Sequence, residues 1–108
     1  MIYSIDEIKN LITPIAKKHK LKAVYLFGSY ARGTADENSD IDLLIDTTDT
    51  NLDTLFKLGA LYDEISNIFE KEIDLVTISS LEQPAIRKSE IAFKENVLKE
   101  RKSLYVAA

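Results

Sequence analysis

Two aspartates, Asp40 and Asp42, stand one residue apart at the start of an apolar stretch that ends at Asp46. An ionised carboxylate is costly in apolar surroundings unless a cation accompanies it. Because side chains alternate along a strand, a strand here would place both carboxylates on one face, roughly 6–7 Å apart. A third acid, Asp74, stands in a later apolar stretch that could pair beside the first. Mg²⁺ or Mn²⁺, which prefer oxygen ligands, would relieve the repulsion among these acids.

A Gly-Ser pair, Gly28-Ser29, follows the apolar residues 23–27. A turn directly after a strand exposes backbone N–H groups that can hold phosphate. Two divalent ions held roughly 4 Å apart can clamp the attacking and leaving oxygens of a phosphoryl displacement. We therefore expect Gly28 and Ser29 to hold the β- and γ-phosphates of a nucleoside triphosphate beside the acids.

Each of these residues also has a purely structural interpretation. Asp40 and Asp46 could be turn or cap residues, and Asp74 could be an acid on a solvent-facing strand position. Gly-Ser turns are common by themselves. The order of the features favours chemistry, because the turn directly precedes the acid pair.

Composition limits the class of protein. The chain has 108 residues, of which 45% are hydrophobic and 30% charged, as expected of a single soluble domain spanning residues 1–108. It has no cysteine and one histidine, His19, to which we assign no role, so a Cys/His zinc site is excluded. No apolar run reaches the roughly 20 residues of a membrane span, and no secretory signal is visible, so we expect a cytoplasmic protein. The net charge of -4 argues against direct binding to nucleic acid but allows a metal-bound nucleotide.

The apolar periodicity predicts an α/β (α+β) fold with a small mixed β-sheet and helices mainly on one face. The expected helices span residues 4–18, 29–32, 52–69 and Pro84 to about 99, and the expected strands span 23–27, 41–46, 72–78 and 104–106. Pro14 should kink the first helix or divide it in two. Residues 49–51 could cap the third helix, in which a close contact with the sheet would explain Gly59.

The motifs resemble those of the minimal nucleotidyltransferases of the DNA polymerase β superfamily. The resemblance rests on the run GSYARGTADENSDIDLLID and on IDLV at residues 73–76, and it covers essentially the whole chain. It implies a polymerase β-like nucleotidyltransferase fold. It also implies that Gly28 and Ser29 hold the triphosphate and that Asp40 and Asp42 ligate two metal ions. Asp74 would help to bind one metal and accept the proton of the attacking hydroxyl.

Two further positions relate to the family pattern. Arg32 occupies the arginine of the Ala-Arg-Gly triplet, where it would either steady the loop or touch phosphate of the bound nucleotide. The sequence RKS at residues 101–103 replaces a more usual glycine-containing turn, which weakens the prediction of the last strand.

The resemblance also implies a partner. Many such proteins are encoded beside a helical HEPN protein, a small RNase toxin, and act as its antitoxin by transferring AMP from ATP to a tyrosine of the toxin. A chain this short needs another chain to hold its acceptor, so a hetero-complex or homo-oligomer is expected. The alternatives are an antitoxin that neutralises its partner by complex formation alone and, less favoured, an enzyme acting on a small molecule.

Overall fold

The computed structural model describes residues 2–82 and 87–107, and these residues form five helices and four strands. The helices are α1 (Ile5–Lys18), α2 (Gly28–Arg32), α3 (Leu55–Ile68), α4 (Ile78–Leu81) and α5 (Lys88–Glu100). The strands are β1 (Ala23–Phe27), β2 (Ile41–Asp46), β3 (Ile73–Thr77) and β4 (Lys102–Val106). The predicted start of the last helix at Pro84 lies outside the described residues.

The sheet has the strand order β3-β2-β1-β4 and is mixed, as predicted. β1 pairs antiparallel with both β2 and β4, whereas β2 and β3 run parallel. Parallel strands need a long crossover connection, and α3 supplies it between β2 and β3. β1 and β2 are therefore the central strands of the sheet, and β3 and β4 are its edges.

The larger hydrophobic core lies between one face of the sheet and the helices α1 and α3, so the prediction of helices mainly on one face is confirmed. Its buried side chains include Ile8, Ile12 and Ile15 of α1, Leu61 and Ile65 of α3, and Ile41, Leu43 and Ile45 of β2. A smaller cluster on the opposite face joins Phe27, Leu44, Leu81 and Val97. Short α4 and the last turns of α5 therefore cover part of the face from which Asp42 projects.

Helix α1 begins at the capping box that the sequence Ser4-Ile5-Asp6-Glu7 predicts. The Ser4 hydroxyl accepts a hydrogen bond from the Glu7 N–H at 3.1 Å, and the Glu7 carboxylate accepts one from the Ser4 N–H at 2.9 Å. These contacts satisfy two of the N–H groups that a helix start leaves free. The helix continues through Pro14 to Lys18, so it is not divided into two shorter pieces, and a kink at Pro14 stays a prediction.

Helix α3 begins later than predicted. Its N-cap is Thr54, whose hydroxyl accepts a hydrogen bond from the Lys57 N–H, rather than any of residues 49–51. Leu55 and Phe56 lie in its first turn and are 88% and 86% exposed, so they do not contribute to the core. A Cβ at Gly59 would meet no described atom within 4 Å beyond its own helix backbone, so a close contact with the sheet does not explain this glycine.

The C-terminal segment passes directly from helix to strand. The sequence of the last helix makes four apolar side chains available for burial. Of these, Val97 is buried, Phe93 and Leu98 are about half exposed, and Ile86 lies outside the described residues. Arg101 follows α5 with extended dihedral angles, and β4 begins at the next residue, so no glycine turn is needed. The predicted last strand is therefore confirmed and begins two residues earlier. No described helix is long and apolar enough to cross a membrane.

Candidate active site

The acids of the two parallel strands meet in register. Asp42 of β2 is the partner of Asp74 in β3, and on its other side it faces Phe27, the last residue of β1. Gly28 follows Phe27 with φ +73°, a left-handed conformation that favours glycine. A Cβ atom at Gly28 would collide with the carboxylate of Asp42. The turn therefore approaches this acid closely because its first residue has no side chain.

Gly28 and Ser29 are the first residues of the short helix α2, which ends at Gly33 as predicted. Gly33 is left-handed, with φ +78°, and the Thr34 N–H donates to the Ser29 carbonyl at 3.0 Å. Tyr30 and Ala31 are buried against the core and hold the helix in place. Arg32 is the last residue of this helix.

A cleft of about 230 Å³ contains four of the six predicted site residues: Gly28, Arg32, Asp42 and Asp74. Ser29 and Asp40 do not line it. Asp40 immediately precedes β2 and is exposed. The structure thus brings the turn, the arginine and two acids together, and it leaves Ser29 and Asp40 outside the cleft wall.

The electrostatics of the cleft are dominated by Asp42. Burial, the charge of Asp74 and the charge of Asp40 raise the pKa of Asp42 to about 6, whereas Arg32 acts in the opposite direction. A raised pKa means that the ionised form is poorly compensated by the protein. A cation placed at Asp42 and Asp74 would relieve that imbalance, and both residues supply the oxygen ligands that Mg²⁺ and Mn²⁺ prefer.

The described residues do not form a complete metal cage. No group of three or more His, Cys, Asp or Glu side chains in residues 2–82 and 87–107 is arranged to hold an ion by itself. Mg²⁺ is usually bound by one or two carboxylates together with substrate phosphates and water. Asp42 and Asp74 fit a site of this kind, in which substrate phosphates and water complete the coordination of the ion. The role of Asp40 as a metal ligand stays a prediction.

Helix α5 forms one side of the cleft, and the sequence did not predict this contribution. Phe93, Asn96, Val97 and Glu100 line it at the spacing of one helix face. The Phe93 ring packs edge-to-face on Phe27, with centroids 6.1 Å apart. Oε2 of Glu100 accepts a hydrogen bond from Nη1 of Arg32 at 3.0 Å, and the two side chains form an ion pair. The spacing on α5 is visible in the sequence, but nothing local indicates that this face meets the acids.

Comparison with known proteins identifies the family. Residues 8–104 match the model of the nucleotidyltransferase domain. The chain belongs to the nucleotidyltransferase family. The predicted family resemblance and the predicted fold are therefore confirmed.

Similar proteins within this family are named adenylyltransferases. A Methanocaldococcus jannaschii relative, whose name presents it as a candidate protein adenylyltransferase, is 37% identical over 90 residues, covering 80% of this chain and 90% of that protein. The protein adenylyltransferase MntA of Thermococcus cleftensis is 32% identical over 82 residues, covering 72% of this chain and 81% of that protein.

Solved structures with the same fold include toxin–antitoxin complexes. A chain from a toxin–antitoxin crystal structure with AMP-PNP has a TM-score of 0.69 and 27% identity, covering 92% of this chain and 73% of that chain. A second chain comes from a complex of a tri-AMPylated Shewanella oneidensis HEPN toxin with its MNT antitoxin. It has a TM-score of 0.65 and 21% identity, covers 95% of this chain and 73% of that chain, and shows the shared fold alone.

Proposed function

We propose that this nucleotidyltransferase moves AMP from ATP to a tyrosine hydroxyl of a HEPN RNase toxin and thereby acts as an antitoxin. The observation that carries the proposal is the registered pair Asp42 and Asp74, which faces Gly28 and Arg32 across one cleft. This arrangement combines negative oxygen ligands with groups suited to phosphate. The names of the similar proteins support AMP as the transferred group.

In the proposed reaction the acceptor oxygen forms a bond to the α-phosphorus of ATP. The bond from that phosphorus to the α,β-bridging oxygen breaks, and pyrophosphate leaves with the electron pair. Asp74 accepts the proton of the attacking hydroxyl. Its place in β3, beside Asp42 and at the cleft wall, gives it access to an acceptor that enters from outside.

The acids would hold the divalent cations. Asp42 and Asp74 are the wall residues that would ligate Mg²⁺ or Mn²⁺, with Asp40 contributing from the start of β2. When bound, two such ions would neutralise the charge that develops on the attacking and leaving oxygens. The raised pKa of Asp42 supports this assignment, because burial and neighbouring acids leave its charge poorly compensated.

The opposite side of the cleft would hold the phosphates. Backbone N–H groups at Gly28 and Ser29, together with the Ser29 hydroxyl, would bind the β- and γ-phosphates. Arg32 would add a positive charge on the same side. Any side chain at position 28 would take the space beside Asp42, which fits a turn that must admit a phosphate close to the acids.

The acceptor would be supplied by another chain. The cleft of about 230 Å³ is bounded by the phosphate turn, two acids and α5, and the single domain of residues 1–108 would use it for the nucleotide. A hetero-complex with the toxin would bring the tyrosine to Asp74. The toxin–antitoxin complex with AMP-PNP, a structural neighbour of 27% identity, supports this arrangement.

Transfer of label from α-labelled ATP to a co-expressed HEPN partner tests the proposal. Wild type with Mg²⁺ should label the partner, chelation of the metal should stop labelling, and Asp42→Asn should reduce it to background while still binding the partner. Asp46→Asn is the matched control, because Asp46 accepts hydrogen bonds from Thr48 at the far end of the same strand. Unchanged transfer by Asp42→Asn would show that the proposal is wrong.

A second function, neutralisation by complex formation alone, is favoured by Leu55 and Phe56. These side chains are almost fully exposed at the start of α3 and offer apolar contact area to a partner. Under this alternative Asp40→Ala and Asp42→Ala would still neutralise the toxin at the normal stoichiometry. Toxin inhibition by the two variants, measured at equal concentrations, separates the functions.

A further inference from the structure

Arg32 reaches the cleft in contact with an acid from a distant part of the chain. Its Nη1 donates to Oε2 of Glu100, the last residue of α5, across 68 positions of sequence. Arg32 and Glu100 both line the cleft, and their side chains are 49% and 27% exposed. An exposed arginine by itself samples many rotamers, and the contact with Glu100 restricts that freedom.

The pair leaves most of the guanidinium available. An arginine carries five N–H donors, and among the described residues its hydrogen bond to Glu100 uses Nη1 alone. Arg32 lines the same cleft as Asp42 and Glu100, and its charge acts on Asp42 as well as on Glu100. A triphosphate held at Gly28 and bound to a cation at Asp42 would therefore meet the remaining donors of Arg32.

The negative charge of Glu100 is unfavourable for a cleft that binds phosphates, unless it has a second effect. With Asp42 and Asp74 it is the third carboxylate on the wall of a cleft that, under the proposed function, admits a polyanion. An acid that merely bordered the cleft would repel the phosphates. An acid that fixes Arg32 would help to bind them, because its charge is offset by the group it positions.

We propose that Glu100 is a positioning residue that holds Arg32 against the β- and γ-phosphates of the nucleoside triphosphate. This inference rests on the proposed function and assigns to α5 a role in substrate binding. Glu100 acts through Arg32 and does not touch the reacting atoms. Of the two roles predicted for Arg32, we therefore favour contact with phosphate over support of the loop.

The direction in which one substitution changes nucleotide affinity distinguishes positioning of Arg32 from simple repulsion of the phosphates. Glu100→Gln removes a negative charge while keeping the length of the side chain. If Glu100 only repelled the ligand, this variant would bind the Mg²⁺ complex of AMP-PNP more tightly. If Glu100 positions Arg32, the variant should bind it about threefold to tenfold more weakly. Glu100→Asp keeps the charge but shortens the reach, and it should weaken binding as well.

A double-mutant cycle measured by isothermal titration calorimetry completes the test. Arg32→Ala should weaken binding at least as much as Glu100→Gln, and the double variant should be no worse than Arg32→Ala alone. Glu95→Gln is the matched control on α5, since Glu95 forms no ion pair within the described part of the chain, and its affinity should equal that of wild type. Thermal unfolding without nucleotide should show similar stability for all variants.

Several outcomes would overturn the inference. Tighter or unchanged binding by Glu100→Gln contradicts positioning, and so do additive losses in the double variant. A lower unfolding temperature without weaker binding would show a merely structural role. Coupling between Arg32 and Glu100 without AMP transfer to the HEPN partner would refute the proposed function and leave the inference standing, whereas normal transfer without coupling would refute the inference alone.

Discussion

Asp42 and Asp74 are register partners in the parallel pairing of β2 and β3, so two carboxylates leave the same face of the sheet side by side. Neighbouring strands lie about 4.8 Å apart, a separation at which two negative charges repel strongly unless something lies between them. The two carboxylates lie on the face of the sheet that also carries the buried apolar cluster of Phe27 and Leu44. A site that stores unfavourable charge in the free protein is suited to binding a cation.

The first prediction concerns Asp42→Asn in protein free of divalent metal. The pKa of Asp42 rises from 3.8 to about 6 on folding, through burial and then the charges of Asp74 and Asp40. The folded state therefore binds the proton more tightly than the unfolded state, and stability falls as pH rises from about 4 to about 6. Asn carries no charge, so at pH 7.5 the variant should be more stable by ~1 kcal/mol after allowance for solvent screening.

Urea unfolding at pH 7.5 and at pH 3.5 measures this effect, because the difference between the proteins should vanish at the lower pH. Asp46→Asn serves as the control of opposite sign. Burial acts to raise the pKa of Asp46, but hydrogen bonds from Thr48 and the charge of Lys22 together lower it. This variant should be less stable than wild type at pH 7.5. A destabilised Asp42→Asn would contradict the account of the site.

The second prediction compares two left-handed glycines. Gly28→Ala adds a Cβ that collides with Asp42 and also strains a φ of +73°, so it should lower stability by more than ~1 kcal/mol and abolish AMP transfer. Gly33→Ala meets no described atom within 4 Å and carries the strain of its φ of +78° alone. It should cost about 1 kcal/mol and retain transfer.

Thermal unfolding and the labelling assay, run on both glycine variants, provide the measurement. Equal loss of transfer in the two would show that backbone conformation, rather than the space beside Asp42, determines activity. Full activity of Gly28→Ala would show that the turn does not need to approach the acid.

Features with local causes were predictable from the sequence. The Ser4–Glu7 capping box and the helix end at Gly33 each depend on residues three or four positions apart, and the structure contains both. The alternation of β2 likewise sets which side of the sheet carries Asp42. These signals need no knowledge of the remainder of the chain.

Features with long-range causes were not predictable. Glu100 belongs to the cleft only because α5 docks on the second face of the sheet, 68 residues beyond Arg32. Phe93 is one of the apolar side chains of the last helix that were available for burial, yet it lines the cleft and is 44% exposed. Apolar periodicity identifies a helix face, but it does not distinguish packing against the sheet from exposure at a cleft or partner surface.

The third prediction concerns Glu64, which joins α1 to α3. Its carboxylate contacts Nε2 of His19 at 2.9 Å and Nζ of Lys18 at 3.1 Å, so the histidine that the sequence left without a role has a partner. The hydrogen bond from His19, followed by that from Lys18, lowers the pKa of Glu64. Its stabilisation is therefore present above the ordinary value of 4.5 and is lost as pH falls through the folded pKa.

Glu64→Gln should therefore destabilise the protein at pH 6.5 by less than about 1 kcal/mol, as is usual for exposed ion pairs. The difference from wild type should shrink at pH 3 and in high salt, where the pair is screened. Chemical unfolding across that pH range provides the check. A difference that is independent of both pH and salt would point to packing rather than charge.

The fourth prediction concerns Gly59, in the interior of α3. A glycine there costs about 1 kcal/mol relative to alanine, and an alanine Cβ would meet no described atom within 4 Å. Gly59 borders a shallow cavity of about 400 Å³ between α3 and β3, together with Leu55 and Tyr62. Gly59→Ala should therefore raise stability in urea by about 0.5–1 kcal/mol. The adjacent Ala60 is also exposed, and Ala60→Gly should lower stability by a similar amount, so destabilisation by both changes would mean that the backbone at Gly59 requires glycine.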